Sequence, residues 1–357
     1  MTQTSPDTPT DTPDALCRID GAAGLITLNR PEALNALTLD AVRAMRAALD
    51  AWAHDPAVTR VVVEGAGEKA FCAGGDIRKL VEAGKAGRRA EAEAFWREEY
   101  ELNALIARYP KPYVALIDGI CMGGGVGVSL HGSHRVAGER YLFAMPEVGI
   151  GFFPDVGASH ALPRLPGKTG LYLALTGARL KQADALAMGL ATHAVGATAM
   201  PEIRAGLLAG EDVDALLDRF RHDPGPAPIE TRAATVDACF GEGSVEGIVA
   251  ALERMATEGD APAGEILGMM RGKSPTSQKL AFEQMRRGAT LSFEEAMRME
   301  FRIVSRILDG HDFYEGVRAV LIDKDHAPHW QPARLEDVAP EMVEAYFAPL
   351  GDRELTV

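Results

Sequence analysis

The stretch IDGICMGGGVGVSLHG, Ile117 to Gly132, begins as a buried-looking strand and runs into three consecutive glycines, Gly123 to Gly125. Glycine loses more conformational freedom on folding than any other residue. A run of it after an apolar strand therefore marks either a tight turn or a place where the backbone approaches a ligand closely. A second stretch of this kind precedes it: EKAFCAGGDIRKL, Glu68 to Leu80, where Ala73, Gly74 and Gly75 lead into a helix begun by Asp76. A loop of small residues entering a helix exposes backbone N–H groups at the positive end of the helix dipole, where a negative oxygen is favoured. Two such loops, if they converge, make a pair of donors for a developing oxyanion. One loop alone can equally be tight packing.

Around these loops, short apolar runs alternate with amphipathic segments. LITLN (Leu25 to Asn29), RVVVEG (Arg60 to Gly65) and YVALIDG (Tyr113 to Gly119) are bounded by Gly, Pro or Asn and have the length of buried strands. TLDAVRAMRAALDAWA begins with a capping Thr38 and aligns Val42, Met45, Leu49 and Trp52 on one helical face; RAEAEAFWREEYELNALIARYP forms another helix, ended by Pro110. This order implies an α/β core over residues 15–200 with its loops gathered where ligands bind. After Pro201 the strand signals fade, and residues 201–357 read as a helical C-terminal region broken by Gly and Pro clusters such as DPGPAP. Residues 1–14 are polar, rich in Thr and Pro, and lack both an apolar signal core and the Arg of a transit peptide. They are expected to form a disordered tail on a cytoplasmic protein.

The composition narrows the function. The chain has 357 residues, 47% hydrophobic and 25% charged, and a net charge of -14. That charge disfavours a nucleic-acid surface, which needs a basic face. No apolar run is long enough to span a bilayer. The four cysteines, Cys17, Cys72, Cys121 and Cys239, form no C-x-x-C pair. They are expected to be reduced, small and buried. Several motif candidates fail: Gly123, Gly125 and Val128 miss the third glycine of a dinucleotide loop, no P-loop Lys follows, and Ser129 in GVSLH lacks the closing glycine of a nucleophile elbow. His131 and His134 are three apart but have no acidic or Cys partner nearby, so no metal site is expected.

The chemistry concentrates in YLFAMPEVGIGFFPDVGASHALPRL, Tyr141 to Leu165. Glu147 and Asp155 each stand beside a proline among Phe143, Met145, Ile150, Phe152 and Phe153. Acids in such company lose hydration, which tunes a carboxyl for general acid or base work. The bland reading is a pair of turn-forming acids capping adjacent segments.

ITLNRPEALNALT, AFCAGGDI, GICMGGGVGVSLHGSHRVA and FAMPEVGIGFFPDVG, in that order, resemble the enoyl-CoA hydratase/isomerase (crotonase) superfamily. The resemblance implies a crotonase-like spiral of ββα units that binds acyl-CoA. It also implies an oxyanion hole from the backbone N–H groups of Ala73 and Gly124. Hydratases of the superfamily carry a first catalytic glutamate two residues past the glycine triplet, where this chain has Gly127. Asp155 is added where hydratases commonly have a small residue. That pattern, with FWREEYELN, GKSPTSQKLAFEQM and GHDFYEGVRAVLIDKDHAPHWQPA, is similar to a thioesterase branch of the superfamily. The branch implies hydrolysis of 3-hydroxyisobutyryl-CoA to 3-hydroxyisobutyrate and CoA in valine breakdown. It implies Glu99, Gly124, Glu147 and Asp155 as substrate-contacting positions, with Glu147 as base or nucleophile; Glu99 read alone could be a solvated helix acid. Neither a metal nor a separate cofactor is expected, and the partner is an acyl-CoA substrate, with a homo-oligomer left open. Arg78, Lys79, Arg88 or Arg89 could meet the CoA phosphates or form a solvated face. The alternatives are a hydratase or isomerase of the same superfamily, and a noncatalytic acyl-CoA or RNA-binding scaffold.

Overall fold

A computed structural model describes residues 13–357. The expected tail lies outside the described residues except for Pro13 and Asp14; the Asp14 carboxylate accepts the Thr38 hydroxyl at 2.6 Å.

The apolar runs become strands in two sheets. β1 (Ala15–Asp20) and β2 (Ala23–Leu28) pair antiparallel. α1 (Leu39–Ala53) follows, capped by the Thr38 side chain, which accepts from the Ala41 amide. Three strand pairs come next: β3 (Arg60–Gly65) and β4 (Ala70–Cys72), β5 (Tyr113–Ile117) and β6 (Ile120–Met122), β7 (His134–Ala137) and β8 (Leu142–Ala144). The first strand of each pair joins one sheet and the second joins the other, giving the order β1-β2-β3-β5-β7-β10 in the larger sheet and β4-β6-β8-β9 in the smaller. β9 (Leu180–Lys181) and β10 (His193–Ala194) close the two sheets. α2 (Ile77–Lys85) and α3 (Arg89–Ala107) follow the first pair, and the short α4 (Gly124–Gly127) follows the second. A ββ unit that feeds both sheets and then a helix, repeated along the chain, is the spiral that the sequence resemblance implies.

Strand periodicity explains the burial. Leu25, Val62, Val114, Leu116 and Val136 face one side of the larger sheet, packed on Ile203 and Leu207 of the helix Ala199–Ala209. Ile26, Val61, Val63, Ala115 and Ile117 face the other side, in the main core with α1 and α3. A parallel sheet covered on both faces needs apolar residues at every position, which is why these strands read as unbroken runs. The boundary expected at residue 200 falls inside the helix Ala199–Ala209, so the first C-terminal helix belongs to the sheet's covering layer. Beyond β10 no further named strand occurs among the described residues. The later helices pack back on the core: Phe293–Ile307 lies on α3, and Pro275–Gly288 on the helix Thr169–Thr176.

Candidate active site

The two glycine loops meet. A Cβ on Gly125 would stand 2.3 Å from the carbonyl oxygen of Cys72, and one on Gly123 would stand 3.4 Å from the Cα of Gly74. For Gly125 the close approach is therefore to the other loop, not to a ligand. Gly123 and Gly124 differ. A Cβ on Gly123, itself at φ +47°, would lie 3.2 Å from Glu147 Oε1. A Cβ on Gly124 would lie 2.6 Å from Glu99 Oε1 and 3.3 Å from the Gly75 nitrogen. The bare backbone of the second loop thus faces two acids and an amide of the first.

The amide that faces Gly124 is not the one expected. The Ala73 N–H donates to the Leu34 carbonyl at 3.0 Å, a bond that ties the loop to the turn after β2, so it is not free for a ligand. Two residues on, the Gly75 and Gly124 N–H groups have no acceptor among the described residues. The signal for this shift is the parallel bridge between Leu37 and Gly75, which turns the Gly74 carbonyl and the Asp76 amide toward Leu37 and leaves the Gly75 amide over.

Three predicted acids come together here, each nearly sealed from solvent: Glu99 at 2% exposure, Glu147 at 6% and Asp155 at 5%. Loss of hydration is the main reason all three titrate high. Burial pushes Glu147 well above the usual carboxylate range, and the charge of Asp155 adds to it. Glu99 is raised well above that range by burial, then by Asp155 and Glu300. Asp155 is raised to about 7 by burial, although the hydrogen bond from Tyr100 Oη, at 2.8 Å, favours its charged form. Such a cluster does not hold all its negative charges at neutral pH, and its protons are shared among its members. Glu99 Oε1 and Glu147 Oε2 are buried with no hydrogen-bond partner. Orphaned buried oxygens are rare in native proteins, and here one of them, Glu99 Oε1, faces Gly124, while the other belongs to the carboxyl whose Oε1 faces Gly123.

Gly127, where a hydratase glutamate would stand, has no room for one. A Cβ there would meet Val156 Cβ at 2.7 Å and Asn103 Nδ2 at 2.8 Å. Sequence reading missed Tyr100 and Glu300, both fully buried beside these acids. Tyr100 follows Glu99 directly; Glu300 hides in an ordinary amphipathic helix, its one signal being apolar neighbours on both sides in MRMEFRIV.

Other candidates go elsewhere. Ser129 Oγ donates to the Gly125 carbonyl at 2.7 Å within its own turn. His131 is pushed down to about 4 by burial and contacts the Val156 carbonyl at 2.6 Å, whereas His134 lies 3.0 Å from Asp214. Among the cations, Arg88 pairs with Glu91 at 3.0 Å, Arg89 with Asp309, and Arg78 contacts the Leu321 carbonyl. Lys79 lies 3.8 Å from Asp76, and Arg78, Lys79 and Arg88 are all exposed. Among the described residues no helix is long and apolar enough to cross a membrane.

Residues 23–347 match the Enoyl-CoA hydratase/isomerase family, and the chain belongs to it. Within that family it is 49% identical to the 3-hydroxyisobutyryl-CoA hydrolase, mitochondrial, of Danio rerio, over 94% of this chain and 89% of that one. It is 44% identical to the protein of the same name from Homo sapiens, over 96% and 90%. Among solved structures it resembles a carnitinyl-CoA dehydratase from Mycobacterium thermoresistibile, with a TM-score of 0.92, 44% identity and coverage of 97% and 99%. An enoyl-CoA hydratase from Rhodobacter sphaeroides superposes with a TM-score of 0.90 at 40% identity, covering 96% and 100%. The word mitochondrial in these relatives' names overturns the cytoplasmic expectation, which rested on the composition of residues 1–14 alone.

Proposed function

We propose that the chain hydrolyses the thioester of 3-hydroxyisobutyryl-CoA, releasing 3-hydroxyisobutyrate and CoA, in valine catabolism. The observation that carries the reading is the meeting of two unengaged amides, Gly75 and Gly124, with the buried, partly unpartnered carboxyls of Glu99 and Glu147. The hydrolase names of relatives at 44–49% identity support it.

In this reading the thioester carbonyl oxygen lies against the Gly75 and Gly124 N–H groups. Charge that develops there meets donors already in place, worth about 3 to 4 kcal/mol per donor in comparable sites. Glu147 takes a proton from water as the water oxygen bonds to the carbonyl carbon. When the tetrahedral carbon collapses, the C–S bond breaks and the sulfur leaves with that proton. A direct attack by Glu147 to give a mixed anhydride uses the same carboxylate. Glu99, whose carboxyl burial raises well above the usual range, lies beside the same oxygen and donates to it when protonated. Asp155, oriented by Tyr100, accepts the 3-hydroxyl of the acyl group. A site built to bond a hydroxyl disfavours acyl groups that lack one.

Hydration of a double bond is the second reading, since the two solved relatives bear the names of a dehydratase and a hydratase. The contact distances at Gly127 favour hydrolysis, since the second hydratase acid cannot be housed there. Thiol release from 3-hydroxyisobutyryl-CoA, measured beside hydration of crotonyl-CoA, separates the two. Hydration without thiol release would overturn the proposal.

A further inference from the structure

Asp155 sits on a turn that the backbone does not favour. Val156, immediately after it, has φ +55°, and Gly157 has φ +88°. A β-branched residue in the left-handed region is a genuine outlier, costing on the order of 1–3 kcal/mol, and persists only where its surroundings over-determine it.

Four side chains from four parts of the chain hold this turn. Tyr100 on α3 donates to Asp155 Oδ2 at 2.8 Å, and the His131 ring meets the Val156 carbonyl at 2.6 Å. Gln284 donates to the Pro154 carbonyl. Glu300, on the helix Phe293–Ile307, takes the rest: its Oε2 accepts the Gly157 N–H at 2.8 Å, and its Oε1 accepts the Ser159 N–H at 2.9 Å and the Ser159 hydroxyl. Glu300 is 0% exposed, and no Lys, Arg or His forms an ion pair with it among the described residues. An unpaired buried carboxyl is costly, so its retention calls for a role. Among the described residues its hydrogen-bond partners are Gly157, the residue after Val156, and Ser159, two further on.

We propose that Glu300 is a positioning residue for Asp155: it fixes the Val156–Ser159 turn with both oxygens and so aims the aspartate at the acyl hydroxyl. The C-terminal helical region then contributes to substrate choice without touching substrate. The inference rests on the reading of Asp155 as the hydroxyl acceptor.

The test compares kcat/KM for 3-hydroxyisobutyryl-CoA with that for isobutyryl-CoA in the wild type, Asp155→Asn, Glu300→Ala, Glu300→Gln and the Asp155→Asn/Glu300→Ala double variant. Hydrogen exchange of a peptide spanning Phe153 to Leu162 is measured alongside. Glu300→Ala should lower the preference for the hydroxyacyl ester by about 10- to 100-fold, the loss that misplacement by about an ångström brings. Glu300→Gln, which keeps one carbonyl oxygen for one amide, should fall between. The double variant should show no more loss of preference than Asp155→Asn alone, because both changes act on one contact. Exchange across Phe153 to Leu162 should rise while that of α1 stays as it was. Equal losses on both esters with the preference kept, or multiplied losses in the double variant, would overturn the assignment. If Glu300→Ala fails to fold, Glu300→Gln and Ser159→Ala decide by the same ratio. If Asp155→Asn leaves the preference intact, the hydroxyl role of Asp155 is wrong. The exchange data then judge the clamp separately, and unchanged protection would reject it.

Discussion

Gly124→Ala isolates the oxyanion site from the stability of the fold. Gly124 opens α4 and is absent from the positive-φ glycines, so alanine fits its backbone and adds about 1 kcal/mol of helix propensity. Against that, the new methyl would stand 2.6 Å from Glu99 Oε1 and 3.1 Å from Leu37 Cδ1. Both are ends of side chains, and displacing them in a packed site costs about 1–3 kcal/mol. The two effects oppose, so the net change in stability should be within about 2 kcal/mol. Catalysis has no such compensation. The methyl also lies 3.3 Å from the Gly75 nitrogen, in the place a bound carbonyl oxygen must reach. Denying one donor its oxygen should lower kcat by about 10²- to 10³-fold, or roughly 3–4 kcal/mol of barrier. Steady-state thiol release and a urea melt on the same preparation measure the two quantities. A variant that melts like the wild type and keeps kcat within about threefold would show that the reacting oxygen does not lie between these loops.

The hydratase acid cannot be restored by substitution. Gly127→Glu should show no crotonyl-CoA hydration and should lose at least about 1–3 kcal/mol in a urea melt, because its Cβ meets Val156 Cβ at 2.7 Å. Tyr100→Phe removes the bond that favours ionised Asp155, so the pH–rate limb belonging to that acid, near 7 in the wild type, should move upward. A downward move would mean that the limb reports another group. The acid cluster also sets the pH dependence of stability. Burial raises Asp155 from 3.8 to about 7 and Glu300 from 4.5 to about 8, so the folded state holds protons that the unfolded chain releases. Their contribution is present in full below about pH 4 and is lost as pH rises through about 8. Urea midpoints should therefore fall between pH 5 and 9, more in the wild type than in Glu300→Gln, and a rising midpoint would contradict the assignment.

How far the sequence revealed this depends on what each element had to state locally. The strands at Arg60–Gly65 and Tyr113–Ile117 were legible because a sheet covered on both faces demands unbroken apolar runs. β4, β6 and β8 have three residues each, too few to show any period, and the two-sheet spiral came from the family resemblance rather than from pattern. Glu147 and Asp155 stood out as acids in apolar company. Glu99 did not, since Glu98 beside it is a surface acid paired with Arg43 at 2.7 Å and the two look alike in sequence. Ala73 was expected from the family resemblance, and what favours Gly75 over it is a single backbone hydrogen bond from Ala73 to Leu34, which no side chain announces. Glu300 lies 145 residues from Asp155 along the chain, and only tertiary packing brings them together.

The most direct test is thiol release from 3-hydroxyisobutyryl-CoA by Glu147→Gln, an isosteric change that leaves both loops and their amides in place. Wild-type enzyme should cleave the thioester, and the amide should slow it by about 10²- to 10⁴-fold without loss of thermal stability. Undiminished cleavage by the Gln variant would mean that the attacking group lies elsewhere.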